Sequence, residues 1–177
     1  MAASSLNQSD KIKVIKWVFF GLSVALSLFL IVNGAIPGDN SAAESNFFAN
    51  IFATIINAFK SGTINDDNFE SFASVIRKLL GHFLAFSVDG VFVSLTCFYF
   101  LRGKDWSKWY YPIIISFGVG LFVAGLSEFL QVFTADRYGS FADIGIDMGG
   151  YILGMFVVFL IFFLTHQLIV NQKETSN

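Results

Sequence analysis

Cysteine, histidine and charge are all scarce in this sequence of 177 residues. Cys97 is the only cysteine, which excludes an intramolecular disulfide and a metal site built on several thiolates. There are two histidines, and 14% of the residues are charged. The sequence has no Gly-x-Ser-x-Gly elbow, phosphate-binding glycine loop or His-Glu-x-x-His motif, and no basic patch indicates nucleic-acid binding. It therefore carries no catalytic signature, and enzymatic activity stays an open question.

Apolar side chains make up most of what remains. The chain is 55% hydrophobic and 18% aromatic, with 23 Phe and a mean hydropathy of +0.65. Four apolar runs are long enough to cross a hydrocarbon core of ~30 Å at ~1.5 Å per residue. Backbone groups in lipid must be hydrogen-bonded internally, which requires these runs to be helices. The sequence predicts an all-α integral membrane protein with four transmembrane helices at about 14–36, 82–101, 111–130 and 146–166.

The charge distribution predicts which side of the membrane each segment occupies. We expect a cytoplasmic tail over 1–13, a four-span membrane domain over 14–166 and a second cytoplasmic tail over 167–177. With both termini inside, the inner segments hold seven basic residues and three acids, and the rest of the chain holds four basic residues and ten acids. This is the positive-inside bias, which predicts a multi-pass plasma-membrane protein. The inner basic residues are Lys11, Lys13, Lys16, Arg102, Lys104, Lys108 and Lys173, and the outer ones are Lys60, Arg77, Lys78 and Arg137.

The predicted outer loop, 37–81, is too apolar to be a simple linker. Apolar residues recur there at helical spacing, which predicts an amphipathic helix that ends near Gly62. This helix could lie flat on the outer leaflet or pack on the bundle, or do both with different faces. A second helix, beginning near Asn65–Asp67, should run into span two, either unbroken or bent at Gly81. The apolar residues of the first helix are Phe47, Phe48, Ile51, Phe52, Ile55, Ile56 and Phe59.

Polar side chains from three predicted spans fall at one depth, near the outer boundary of the membrane. Charges at this depth are costly, so a cluster of both signs indicates a function. Glu128 and Gln131 are spaced i, i+3, and Asp143 and Asp147 are spaced i, i+4, so each pair shares a helix face. We expect Arg137 to neutralise one or two of the carboxylates. The predicted binding residues are His82, Glu128, Gln131, Arg137, Asp143 and Asp147, supported by Arg77, Lys78, Asp89, Gly150 and Gly154.

Two features of this set leave alternatives open. Asp89 is seven residues beyond His82 and could belong to an ion path, or could pair with a serine or tyrosine inside the bundle. Gly149, Gly150 and Gly154 should let span four approach a neighbouring helix closely. A metal could be held by His82 with Glu128, Asp143 and Asp147, but no short ligand motif supports it and His166 falls at the opposite end. We therefore expect no metal and no cofactor.

The pattern of these residues resembles the VanZ-like family. It comprises Arg77-Lys78-x-x-x-His82-Phe83, then Glu128-x-x-Gln131, Arg137, and Asp143-x-x-x-Asp147-x-x-Gly150-x-x-x-Gly154. The resemblance covers about 76–163. Ser127 departs from the pattern, because family members often have an aspartate there. The resemblance implies a Gram-positive cell-envelope membrane protein linked to reduced susceptibility to lipoglycopeptide antibiotics such as teicoplanin. It implies a phenotype and not a reaction.

Our hypothesis is an outward-facing polar pocket that engages an envelope lipid, a lipid-linked cell-wall precursor or the lipoglycopeptide itself. Glu128 and Asp147 would accept hydrogen bonds, Arg137 would pair with them or hold a phosphate, and His82 and Gln131 would add directional contacts. One alternative is a membrane-embedded hydrolase or transferase acting on a lipid-linked headgroup. Another is a structural protein whose polar cluster only ties helices together.

Overall fold

The fold, seen in a computed structural model, is a bundle of helices. The structure describes residues 7–101 and 110–175, with side chains over 7, 9–37, 46–101 and 110–167. No β-strand occurs within these ranges. The predicted cytoplasmic hairpin at 102–109 and the first six residues of the N-terminal tail lie outside them. The helices are α1 (Gln8–Gly34), α2 (Gly38–Phe59), α3 (Phe69–Arg77), a π-helical segment (Lys78–Leu84), α4 (Ala85–Leu101), α5 (Tyr110–Gln131) and α6 (Phe141–Thr175).

Four helical stretches are long and apolar enough to cross a membrane, which confirms the predicted four-span fold. They end within two residues of the predicted ends, but the first, second and fourth begin earlier than predicted, at Ser9, Phe69 and Phe141. The second extends from α3 through the π-helical segment to the end of α4, because the amphipathic turns before His82 continue the same helix. The stretches are Ser9–Gly34, Phe69–Leu101, Tyr110–Gln131 and Phe141–Gln167.

The second span is one continuous helical run with a widened turn around Gly81, the position considered for a bend. The π-helical segment surrounds Gly81, the residue that the sequence marks as a weak point. The run begins at Phe69 and not at Asn65. The Asn65 side chain instead closes a turn, accepting hydrogen bonds from the backbone N–H groups of Asp67 (3.1 Å) and Asn68 (3.2 Å). Residues 65–68 therefore form a turn that precedes the helix.

Helix α4 lies at the centre of the bundle and packs against α1, α5 and α6. Two glycines of α6 allow the closest approach. A Cβ at Gly150 would collide with the carbonyl of Phe83, and one at Gly154 would collide with the carbonyl of Ser87. Gly149 faces only the Phe83 ring, at an ordinary 3.7 Å. The core between these helices is formed by Leu30, Phe86, Val93, Val123, Ala124, Met148 and Tyr151.

Helix α2 presents two different faces, one packed on α3 and one exposed. Its small residue Ala49 is fully buried and packs with Ala73 and Ile76 of α3. Its large apolar residues are exposed, as expected for a helix that rests against lipid. The exposed residues are Phe47, Phe48, Ile51, Phe52, Ile55 and Phe59.

Candidate functional site

Three transmembrane stretches deliver one ionisable side chain each to a single point. His82 comes from the π-helical segment, Glu128 from the last turn of α5 and Asp147 from the second turn of α6. His82 Nδ1 lies 2.9 Å from Asp147 Oδ1, within hydrogen-bonding distance, and 4.0 Å from Glu128 Oε1. Glu128 is 3% exposed and Asp147 is fully buried. We call these three residues the carboxylate–histidine cluster.

The start of α6 fixes the Glu128 carboxylate. The backbone N–H of Ser140 donates to Glu128 Oε2 at 2.9 Å, and the amide of Gln131 donates to Oε1. Ser140 in turn caps α6, since its Oγ accepts a hydrogen bond from the backbone N–H of Ala142 at 3.1 Å. The carboxylate therefore joins the end of one span to the beginning of the next.

The ion pairs of this region are not those that the sequence suggested. Lys78 Nζ lies 2.7 Å from Asp143 Oδ1, and His82 pairs with Asp147. Among the described side chains, Arg137 lies within 4.0 Å of no carboxylate, so our expectation that it neutralises Glu128, Asp143 or Asp147 by direct pairing was wrong. The physical reason is that Lys78 and His82, which lie one turn apart in the π-helical segment, already pair with Asp143 and Asp147.

Arg137 instead points a largely unsatisfied guanidinium into the protein. Its Nε and Nη2 atoms are buried and have no hydrogen-bond acceptor among the described residues. Asp136 has a left-handed backbone (φ 58°), a conformation that aspartate tolerates better than most residues, and it reverses the chain just before Arg137. Thr134 holds the same loop to α1, donating to the carbonyl of Gly34 at 3.3 Å.

Two arginines line a small cavity beside the cluster. Burial, and after it the charge of Arg77, lowers the pKa of Arg137, while Glu128 opposes this shift. The guanidinium stays charged at physiological pH, because an arginine pKa starts so high. Both cations thus face a common space that holds no carboxylate of its own. The lining residues of this arginine cavity are Leu30, Asn33, Gly34, Arg77, Gly81, His82, Phe86, Ser127, Gln131 and Arg137.

The loop that carries Arg137 also displays large aromatic side chains. Phe133 is 74% exposed, Tyr138 88% and Phe141 93%. Aromatic residues of this kind are enriched where a membrane meets water. The arginine cavity is therefore flanked in the chain by residues suited to headgroup depth.

The other predicted residues take supporting places. Asp89 lies away from the cluster and accepts a hydrogen bond from Ser27 Oγ at 3.0 Å, which matches the serine pairing considered for it. Gly150 and Gly154 bring α6 against the π-helical segment and α4. Of the predicted binding residues, the structure brings together His82, Glu128, Gln131 and Asp147, and places Asp143 with Lys78.

Sequence reasoning missed three contributors to this region. Asn33 and Ser127 line the arginine cavity, and the Ser140 backbone binds Glu128. Asn33 could have been found, because it is an amide at the outer end of an otherwise apolar span. The Ser140 contact gives no sequence signal, since any residue with an N–H could make it.

Comparison with known proteins decides the family. The family model described as VanZ/LLP1 matches residues 18–170, which is most of the chain. The chain belongs to the VanZ/LLP1 family. The match extends the motif resemblance to most of span one and to the outer loop, so Asn33 of α1, which lines the cavity, lies within the matched region. No curated protein and no solved structure matches this chain.

Proposed function

We propose that this VanZ/LLP1 protein binds an anionic, phosphate-bearing headgroup in the arginine cavity. The headgroup would belong to an envelope lipid or a lipid-linked cell-wall precursor. One observation carries the proposal: the buried Nε and Nη2 atoms of Arg137 have no acceptor among the described residues, and Arg77 lines the same cavity. Two cations in a common space favour an anion, and a guanidinium can hold two phosphate oxygens at once.

The size of the cavity limits what can enter it. Its volume is about 30 Å³, whereas one water needs roughly 10–15 Å³ on the same scale. Such a space accepts the oxygens of one compact group and excludes a whole lipid headgroup or a glycopeptide. A phosphoryl group suits it, with the rest of the ligand remaining at the membrane surface. The size thus favours a lipid or lipid-linked precursor over the antibiotic itself as the occupant.

The cellular consequence that we propose is lower susceptibility to lipoglycopeptides such as teicoplanin, as the VanZ-like resemblance implies. A protein that binds an anionic precursor on the outer face, or moves it away from there, would reduce access of the drug to its target. This role requires the cavity to open outward, which is the orientation favoured by the positive-inside bias.

Antibiotic susceptibility tests this proposal directly. A sensitive Gram-positive host would express the wild type, Arg77→Ala, Arg137→Ala or Lys60→Ala, with membrane levels measured for each. We expect a teicoplanin-selective shift for the wild type that both cavity variants lose, because each removes one of the two cations. Lys60→Ala removes an exposed cation after α2, outside the cavity, and should behave as the wild type.

Lipid binding gives a second readout of the same proposal. Mass spectrometry of lipids retained by the purified protein should show an anionic lipid that is depleted in Arg137→Ala and Arg77→Ala. If well-expressed cavity variants keep both the susceptibility shift and the retained lipid, the proposal fails. Loss of stability in step with loss of phenotype would instead favour a purely structural cluster.

One contact favours the enzymatic alternative. His82 lines the arginine cavity while its Nδ1 is held by Asp147, an arrangement that orients an imidazole for proton transfer through Nε2. A hydrolase or transferase acting on the bound headgroup would use such a group. Turnover of a phosphate-bearing lipid that His82→Gln abolishes, with lipid retention intact, would support this reading over simple binding.

A further inference from the structure

The carboxylate–histidine cluster has the geometry of a cation site. His82, Glu128 and Asp147 each offer one ligand atom, and these atoms lie within 4.8 Å of one another. His82 Nδ1 lies 2.9 Å from Asp147 Oδ1 and 4.0 Å from Glu128 Oε1. A single ion can therefore touch all three side chains with only small adjustments.

The charge of the cluster is not balanced by its protein neighbours. Two carboxylates are buried at membrane depth, and among the described side chains His82 is the one basic group within 4.0 Å of either. Lys78 is paired with Asp143, and among the described residues Arg137 forms no ion pair within 4.0 Å, although its charge interacts with that of Glu128. A buried carboxyl group at this depth must bind a proton or meet a counter-charge, and one imidazole supplies at most a single positive charge. A divalent cation would neutralise both acids.

The surrounding hydrogen bonds are of the kind that orient metal ligands. Both oxygens of Glu128 receive hydrogen bonds, from Gln131 and from the Ser140 backbone, which fixes the plane of the carboxylate. Asp147 is fully buried, and its Oδ2 has no hydrogen-bond donor among the described residues. This oxygen is an acceptor that the described residues leave unused.

We propose that His82, Glu128 and Asp147 bind a divalent transition-metal ion of the Zn²⁺ or Mn²⁺ type. One imidazole nitrogen and two carboxylate oxygens suit these ions, and the only thiol in the chain, Cys97, is not in the cluster. Three protein ligands leave at least one coordination position for a further oxygen. The site does not depend on the ligand of the arginine cavity, although the two share His82 as a wall. It departs from our expectation of no metal, which rested on the lack of a short motif.

Metal content of the purified, tag-free protein tests the site. Chelator-treated protein in detergent would be dialysed against Zn²⁺ or Mn²⁺ and the bound metal measured by mass spectrometry. We expect one equivalent per chain for the wild type, and binding at least about tenfold weaker in His82→Ala, Glu128→Gln and Asp147→Asn. Asp89→Asn is the matched control, because it removes another fully buried carboxylate, held by Ser27, and should leave metal binding unchanged.

A second measurement needs no variant and so does not depend on whether the variants fold. Co²⁺ bound to the wild type should give visible absorption typical of nitrogen and oxygen ligands, without a thiolate charge-transfer band. Absence of stoichiometric metal in the wild type, a thiolate band, or full binding in all three cluster variants would overturn the proposal. The headgroup proposal is tested separately, since Arg137→Ala should lose lipid and keep metal.

Discussion

Asp89 is a fully buried carboxylate that, in the described part of the chain, receives hydrogen bonds from one hydroxyl, that of Ser27, at 3.0 and 3.3 Å. Ser27→Ala should leave this acceptor unsatisfied and cost about 1–3 kcal/mol of the free energy of unfolding. The expected result is a lower midpoint of thermal unfolding in detergent. Ser23→Ala is the control, because the Ser23 hydroxyl donates to the carbonyl of Phe20 in its own helix and accepts a long hydrogen bond (3.4 Å) from Thr96, so its loss leaves no charge unpaired. Equal losses in the two variants would mean that the Ser27 contact does not stabilise Asp89.

The glycines of α6 act at the scale of whole helices. Gly150→Ala and Gly154→Ala would each push a methyl group into the backbone of the neighbouring span, at Phe83 and Ser87. Each should destabilise the bundle by about 1–3 kcal/mol, because backbone cannot move aside as a flexible side chain can. Gly149→Ala meets only a ring edge and should be neutral or stabilising by up to about 1 kcal/mol. Thermal unfolding of the three variants side by side checks this order, and a similar loss for Gly149→Ala would contradict it.

The elements also explain which parts of the site could be predicted. The depth of His82, Glu128 and Asp147 follows from counting residues along apolar runs, so their convergence was accessible from the sequence. The ion-pair partners of the charged residues could not be predicted from the sequence. They depend on how each helix is rotated, and the π-helical turn at Lys78–Leu84 changes that rotation just where Lys78 and His82 reach the acids. The path of the loop before Arg137 depends on one left-handed residue, Asp136, which no apolar pattern encodes.

At the scale of the whole molecule, we expect the four spans to put the cavity and the chain termini at opposite faces of the membrane. Cysteine accessibility measures this topology, because Cys97→Ser gives a background without thiols. In intact cells a membrane-impermeant maleimide should label Tyr138→Cys, an exposed position in the loop that carries Arg137, and should label Ser9→Cys only after permeabilisation. The reverse pattern would put the arginine cavity on the cytoplasmic face and contradict the proposed effect on teicoplanin.

The exposed aromatic side chains around Arg137 determine how the cavity would meet its ligand. Phe133, Tyr138 and Phe141 suit a depth where headgroups lie, so a lipid would arrive by diffusing within the leaflet and not from bulk water. The quantity that governs occupancy is then the mole fraction of that lipid in the leaflet. A change in membrane composition would alter occupancy without any change in the protein, and a water-soluble phosphate would compete poorly with a ligand already concentrated in two dimensions.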